Sequence, residues 1–250
     1  SESIEIGLSD GRRLPAKLVG YDHTSGFGII KSVVPLKMPH LQLGNSDNIN
    51  SEQDLLILPS PNRGAGSIVR SVSRRPFTGW WEYFVENPIY TTPANGLWAG
   101  APILTENGEI VGIGSLFVSE SVPGVSSPGN MSVPINILKP ILEDLISSGR
   151  RKSKIQPYLG ISSDDSNDRI IVTRVSGGGP AFEAGIRPKD VIMTINGSQV
   201  SNLKSFYEKI WKSGEAGVTI KLSVLRKGKI MNFNVKTVDR MDYFVKPQSF

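Results

Sequence analysis

The chain has 250 residues, 38% of them hydrophobic, with 28 Lys and Arg against 23 Asp and Glu, a formal net charge of +5 and two histidines. That length can bury two packed cores, and no apolar run approaches the roughly 20 residues a membrane-spanning helix needs. Without a single cysteine the chain makes no disulfide and no thiolate metal site, a composition that suits an oxidising compartment as well as a reducing one.

Short strand-like runs recur between turn signals at residues 4–6, 16–19, 27–30, 54–58, 67–72, 103–104 and 110–113. Regular short strands separated by Gly, Pro, Asn and Asp clusters indicate a β-barrel or a sandwich rather than α/β layers, and leave open which of the two. The segment Phe77-Thr78-Gly79-Trp80-Trp81-Glu82-Tyr83-Phe84 concentrates aromatic residues. It reads either as an alternating core strand or as exposed tryptophans that anchor a subunit or client interface. Residues 117–130, rich in Ser, Val, Pro and Gly, read as a loop. Leu138, Ile141, Leu142, Leu145 and Ile146 then recur at helical spacing with Glu143 and Asp144 facing solvent, an amphipathic helix that closes a first domain and takes Pro140 in its first turn.

Ser147-Ser148-Gly149-Arg150-Arg151-Lys152-Ser153-Lys154 is small, polar and basic. A solvated hinge fits better than a nucleic-acid patch, because the cluster is short and carries no aromatic for base stacking; proximity to an anionic membrane stays open. Beyond it, Ile170–Val175 alternates as a half-buried strand, Gly185 permits a tight turn after a one-turn helix, and Asn196-Gly197 signals a hairpin. Leu203, Phe206, Tyr207, Ile210 and Trp211 repeat at helical spacing up to Ser213-Gly214, and Val218-Ile220-Leu222-Val224 with Met231-Phe233-Val235 mark two further strands. No His, Asp and Glu cluster has metal-ligand spacing, Asp164-Asp165 reads as a turn, and Ser176-Gly177-Gly178-Gly179 lacks the lysine and helix of a phosphate loop. No metal, nucleotide or other cofactor is expected.

The run Asn95-Gly96-Leu97-Trp98-Ala99-Gly100-Ala101-Pro102-Ile103-Leu104, followed by Asn107-Gly108-Glu109-Ile110-Val111-Gly112-Ile113-Gly114, resembles the nucleophile loop of HtrA/Do-type serine proteases, with alanine at position 99 where the nucleophilic serine stands. Ser9 to Asp22 resembles a hairpin of that family. In Ser25-Gly26-Phe27-Gly28-Ile29-Ile30-Lys31, glycine 26 holds the place of the catalytic aspartate. The family's histidine belongs to a segment upstream of Ser1, and His23 and His40 sit in neither the right motif nor the right place. An alanine methyl has no lone pair to attack a carbonyl and no proton for a base to remove, which closes the acyl-enzyme route. The resemblance assigns the oxyanion hole to the backbone N–H groups of Leu97 and Ala99; leucine at 97 replaces a glycine that takes positive φ freely. An engineered serine-to-alanine change would not also bring Gly26, Ala101 and the Leu97-Trp98 pair, so natural loss of the triad is the preferred account.

Tyr158-Leu159-Gly160-Ile161, Ile170–Val175, Gly179-Pro180-Ala181, Ala184-Gly185-Ile186, Asp190-Val191-Ile192 and Ile195-Asn196-Gly197 resemble a bacterial-type PDZ domain throughout. Such domains add a peptide C-terminus as an extra strand between a helix and an edge strand. By this resemblance the N–H groups of Leu159, Gly160 and Ile161 receive the terminal carboxylate, and Tyr158, Ile161, Tyr207 and Ile210 are the groove-facing candidates.

The resemblance thus implies a mainly β chain. A trypsin-like (chymotrypsin-fold) double β-barrel domain over 1–148, lacking its N-terminal strands, precedes a linker at 149–153, a PDZ domain over 154–238 and a C-terminal tail at 239–250. An upstream segment is expected, since a lobe without its first strands leaves strand edges unpaired. The implied function is an HtrA-like pseudoprotease that binds unfolded or C-terminally exposed polypeptides with apolar ends, in the bacterial periplasm or envelope. Homotrimers or a hetero-assembly with an active protease are implied as partners, and nucleic acid is not. The alternative is an active HtrA-family endopeptidase seen with its serine replaced at position 99.

Overall fold

Antiparallel strands dominate the computed structural model, which describes residues 4–60, 64–165 and 168–244. The described residues fall into two compact units, Ser1–Phe77 with Val85–Arg150 and Thr78–Phe84 with Arg151–Phe250. Residues 1–3 of the expected first domain and 245–250 of the expected tail lie outside the described residues.

In chain order the first unit opens with β1 (Ile4–Gly7), β2 (Arg13–Tyr21) and β3 (Gly28–Ser32), which pair as an open antiparallel sheet in that order. The β1–β2 turn is closed by Leu8 N–H to the Arg12 carbonyl and by the Asp10 carboxylate, which accepts from the Arg12 backbone and side chain. Next come β4 (Asp54–Ile57), β5 (Ser67–Ser73), and the two short strands β6 (Phe77–Gly79) and β7 (Tyr83–Val85), which pair only with each other and whose Thr78–Phe84 portion belongs to the second unit. β8 (Ile89–Thr92), β9 (Pro102–Leu104), β10 (Ile110–Val118) and β11 (Gly129–Pro134) complete the set. Six of these strands close a barrel in the order β10-β11-β8-β5-β4-β9. Ile57, Ile89, Ile103 and Val111, all wholly buried, fill it. The helix read from the 138–146 pattern divides: Pro140 lies in a 3₁₀ turn, Lys139–Ile141, and α1 (Leu142–Ser148) follows, ended by Gly149 in the left-handed region.

The second unit begins with β12 (Pro157–Tyr158), β13 (Ile161–Asp164) and β14 (Ile170–Val175). The one-turn α2 (Pro180–Glu183), β15 (Val191–Ile195), β16 (Ser198–Gln199), α3 (Leu203–Lys212), β17 (Thr219–Arg226) and β18 (Lys229–Lys236) follow. The sheet runs β13-β14-β15-β17-β18, with β16 hairpinned onto β15 across Asn196-Gly197, both at positive φ as a type I′ turn requires. α3 is fixed at its start by a capping box, Asn202 accepting from the Ser205 N–H and the Ser205 hydroxyl reaching back. Its Leu203, Phe206, Tyr207 and Ile210 enter the core with Leu159, Ile161, Ile192 and Val224. The segment expected as a tail is structured where it is described: β19 (Val238–Asp239) pairs with β12, and α4 (Arg240–Phe244) follows directly. Asp239 therefore continues the fold, paired with Pro157.

The Arg226–Asp190 ion pair of this unit is largely buried. The Arg226 guanidinium makes two parallel bonds to Asp190, 2.6 and 2.7 Å, and a third to the Gly185 carbonyl, while the Arg187 N–H donates to the same carboxylate. With the Asp190 side chain 1% exposed, removing one partner strands the other. Asp190→Asn should cost about 3–5 kcal/mol of stability, measurable as an earlier urea midpoint; an unchanged midpoint would show that the guanidinium finds solvent instead.

Candidate functional site

Two clusters could carry chemistry, one in each unit. In the first, the turn between β8 and β9 is tied to three strands. The Asn95 N–H donates to the Asn130 side-chain oxygen at 2.7 Å, Asn130 Nδ2 returns a bond to the Asn95 carbonyl, and Asn95 Nδ2 donates to the Ser67 hydroxyl at 2.8 Å. Farther on, Gly100 N–H bonds to the Gly114 carbonyl and Gly114 N–H to the Ala101 carbonyl. β10 comes so close there that a Cβ at Gly114 would lie 2.0 Å from the Trp98 carbonyl oxygen. The backbone of the turn expected from the resemblance to carry a nucleophile is thus firmly held.

Its reactive parts are not in place. Ala99 is exposed and offers only a methyl group. Leu97, unlike a glycine, stays out of the left-handed region, and its N–H donates at 2.7 Å to the side-chain oxygen of Asn95, two residues back. That local turn consumes one of the two donors assigned to an oxyanion hole. Gly26 closes a tight turn at φ 80°, its N–H bonded to the Asp22 carbonyl, and carries no carboxylate. His23 packs edge-on against Tyr21, ring centroids 4.7 Å apart, and exposed His40 lies within 3.3 Å of the Gln42 amide.

The second cluster surrounds Tyr158 to Ile161. Gly160 at φ 80° turns the backbone so that the N–H groups of Leu159 and Ile161 face one acceptor. That acceptor is the carboxylate of Glu82, Oε2 at 3.0 Å from the Leu159 nitrogen and Oε1 at 2.6 Å from the Ile161 nitrogen. Glu82 sits at the tip of the β6–β7 hairpin, 7% exposed, in the left-handed region at φ 54°. Tyr207 donates its hydroxyl to the Gly79 carbonyl at 2.7 Å and accepts from the Glu82 N–H at 3.2 Å. Burial pushes the Tyr207 hydroxyl well above its ordinary range, with the nearby Glu82 charge adding to the effect, so it stays a donor. Arg240 from α4 donates to the carbonyls of Trp81 and Glu82 and lies over the Tyr158 ring.

Of the groove candidates, Leu159 and Ile161 act through their backbone while their side chains are core, and Tyr207 touches the hairpin directly. Tyr158 turns its hydroxyl to Ser176 at 3.2 Å. Ile210 is wholly buried in the same core cluster as Tyr207. The residue missed from sequence is Glu82, whose partners lie 77 and 79 positions away.

Burial pushes the Glu82 carboxyl up to about 7, although the N–H groups of Leu159, Ile161 and Gly160 and the Arg240 charge all pull it down. A folded-state value above the unfolded one means the native state holds this proton more tightly, so the stabilisation is full below about 4.5 and is lost as pH rises through about 7. The expected outcome is a second-unit stability that falls by up to about 1.4 kcal/mol per pH unit across that window. Urea titrations of Glu82→Gln should lack this slope; the same slope in both proteins would assign it elsewhere.

Comparison with known proteins agrees with this architecture. Residues 1–113 match the trypsin-like peptidase domain and residues 157–237 the PDZ domain. The chain is 26% identical to the serine protease Do-like HtrA of Bacillus subtilis, over 94% of this chain and 57% of that protein. It is 27% identical to a probable periplasmic serine endoprotease DegP-like of Chlamydia trachomatis, over 93% and 48%. It therefore spans about half the length of these curated relatives. Among solved structures, the HtrA-type protease AlgW with decapeptide superposes with a TM-score of 0.61 at 24% identity, over 96% of this chain and 76% of that one, a likeness of fold. The chain thus carries a trypsin-like peptidase domain followed by a PDZ domain, and over most of its length it is similar to HtrA-type proteins.

Proposed function

We propose that this protein is an HtrA-like pseudoprotease that binds unfolded or C-terminally exposed polypeptides through its PDZ domain, in protein quality control of the bacterial periplasm or envelope. The observation that carries this reading is a contrast between the two sites. The nucleophile turn has alanine at 99 and a Leu97 N–H already satisfied by Asn95, whereas the Leu159–Ile161 amides are aimed at a carboxylate and hold one. Peptide capture needs what the second site has, backbone donors beside an edge strand. Peptidase chemistry needs what the first lacks.

The relatives support the compartment and the ligand class. Those in Chlamydia and the Escherichia coli endoprotease DegQ are named periplasmic, and AlgW was solved with peptides of three and ten residues. Assembly as a homotrimer, or with an active protease, belongs to this proposal as the family's habit. Binding to an anionic surface through residues 150–154 would be steeply salt-dependent, whereas capture of an apolar C-terminus is not.

Two outcomes are expected. The complete natural protein and its Ala99→Ser variant should both stay unlabelled by a fluorophosphonate probe and leave an unfolded protein substrate intact; labelling and cleavage by the variant alone would make the chain a disabled endopeptidase. Peptides ending in Val, Leu, Ile or Phe should bind at least about tenfold, or 1.4 kcal/mol, more tightly than their C-terminally amidated forms. Equal affinities would remove carboxylate capture by Leu159 to Ile161.

A further inference from the structure

We propose that the hairpin segment Thr78–Phe84 is a built-in ligand of the PDZ groove, which occupies in cis the place of a peptide C-terminus and must leave before a peptide can bind in trans. The proposal rests on the peptide-binding reading above and adds a regulation to it.

Three features of a bound peptide are reproduced by this segment. The first is the carboxylate. Glu82 places its two oxygens on the Leu159 and Ile161 amides, one oxygen to each, as a terminal carboxylate would. The second is a backbone bond to the edge strand on which a peptide would add. β13 is an edge strand, and its Ser163 N–H donates to the Trp80 carbonyl at 2.9 Å. Trp80 lies in the turn between β6 and β7, so a single bond is made where an added peptide strand would pair. The third is contact with the helix that forms the other wall. Tyr207 of α3 bonds to Gly79 and Glu82, and Phe84 packs against the core and lies 5.8 Å from the Trp211 ring.

The contact is also built to be reversible. Glu82 holds a left-handed conformation that a non-glycine residue adopts only at a cost, and Trp80 remains 56% exposed at the tip. A second carboxylate cannot share the loop with Glu82, since both would compete for the same N–H groups of Leu159 and Ile161. A peptide and the hairpin are therefore alternatives. The apparent affinity for a peptide falls by the fraction of molecules in which the hairpin is open, and anything that weakens the hairpin raises it.

The test uses the full chain and a fluorescein-labelled nonapeptide ending in a free valine carboxylate, with its C-terminal amide as the control. Glu82→Ala should bind the carboxylate peptide at least tenfold more tightly than the unaltered chain and leave the amide unaffected; Tyr207→Phe, which removes only the hydroxyl, should give a smaller gain. Circular dichroism checks that each variant folds, and the isosteric Glu82→Gln replaces Glu82→Ala should the latter not fold. Equal affinity of unaltered and altered chains overturns the occlusion and leaves peptide binding standing. No binding by any form overturns peptide binding, and the occlusion with it. Saturating peptide should also shift tryptophan emission of the unaltered chain as Trp80 and Trp81 leave; binding without a shift overturns displacement.

Discussion

Backbone amides in the Tyr158–Ile161 loop need an acceptor that their own sheet does not provide, and much of the second unit answers to that need. Gly160 in the left-handed region turns the Leu159 and Ile161 N–H groups away from the ladder and toward one point. A buried donor left without a partner costs about 1–3 kcal/mol, so the loop favours any occupant that brings two oxygens. Glu82 brings them, and its surroundings are arranged around it: Tyr207 beneath, Arg240 across its carbonyl, and β19 against β12, which leads into the loop. Removing the occupant exposes the loop's demand again.

The first unit meets the same kind of demand locally. A Leu97 N–H aimed at an oxyanion would have to wait for substrate, but Asn95 supplies an oxygen at 2.7 Å from within the same turn. The closed barrel does not depend on which solution is used. Ile57, Ile89, Ile103 and Val111 pack it regardless of what stands at position 99. Fold and chemistry are separable here because the barrel's stability comes from its core while peptidase chemistry would come from a handful of atoms at its rim.

Where burial alternates along a strand, the sequence was readable. β17 is recognisable from Ile220, Leu222 and Val224 at every second position, and Asn196-Gly197 announces its own turn. β8 and β11 were not read as strands, because nearly every residue in them is buried, Thr91, Asn130 and Ser132 included, and no alternation survives. α4 is too short to leave a periodic trace. Alanine at position 99 is legible directly, but the Asn95 bond to the Leu97 N–H is a matter of side-chain geometry. Glu82 stands among the aromatics Trp80, Trp81, Tyr83 and Phe84. Nothing in its local sequence distinguishes it from a solvated turn residue, since its role is created by partners brought from far along the chain.

Because the Thr78–Phe84 segment is covalently part of the chain, its concentration near the Leu159–Ile161 loop is fixed and does not dilute. Short flexible tethers correspond to effective concentrations of about a millimolar. Against such a competitor, a single free C-terminus at low abundance gains little occupancy, whereas many ends exposed together by a misfolded or aggregating protein can outnumber it. A hairpin held by one carboxylate would thus make the protein a threshold detector, silent to ordinary turnover and responsive to accumulation.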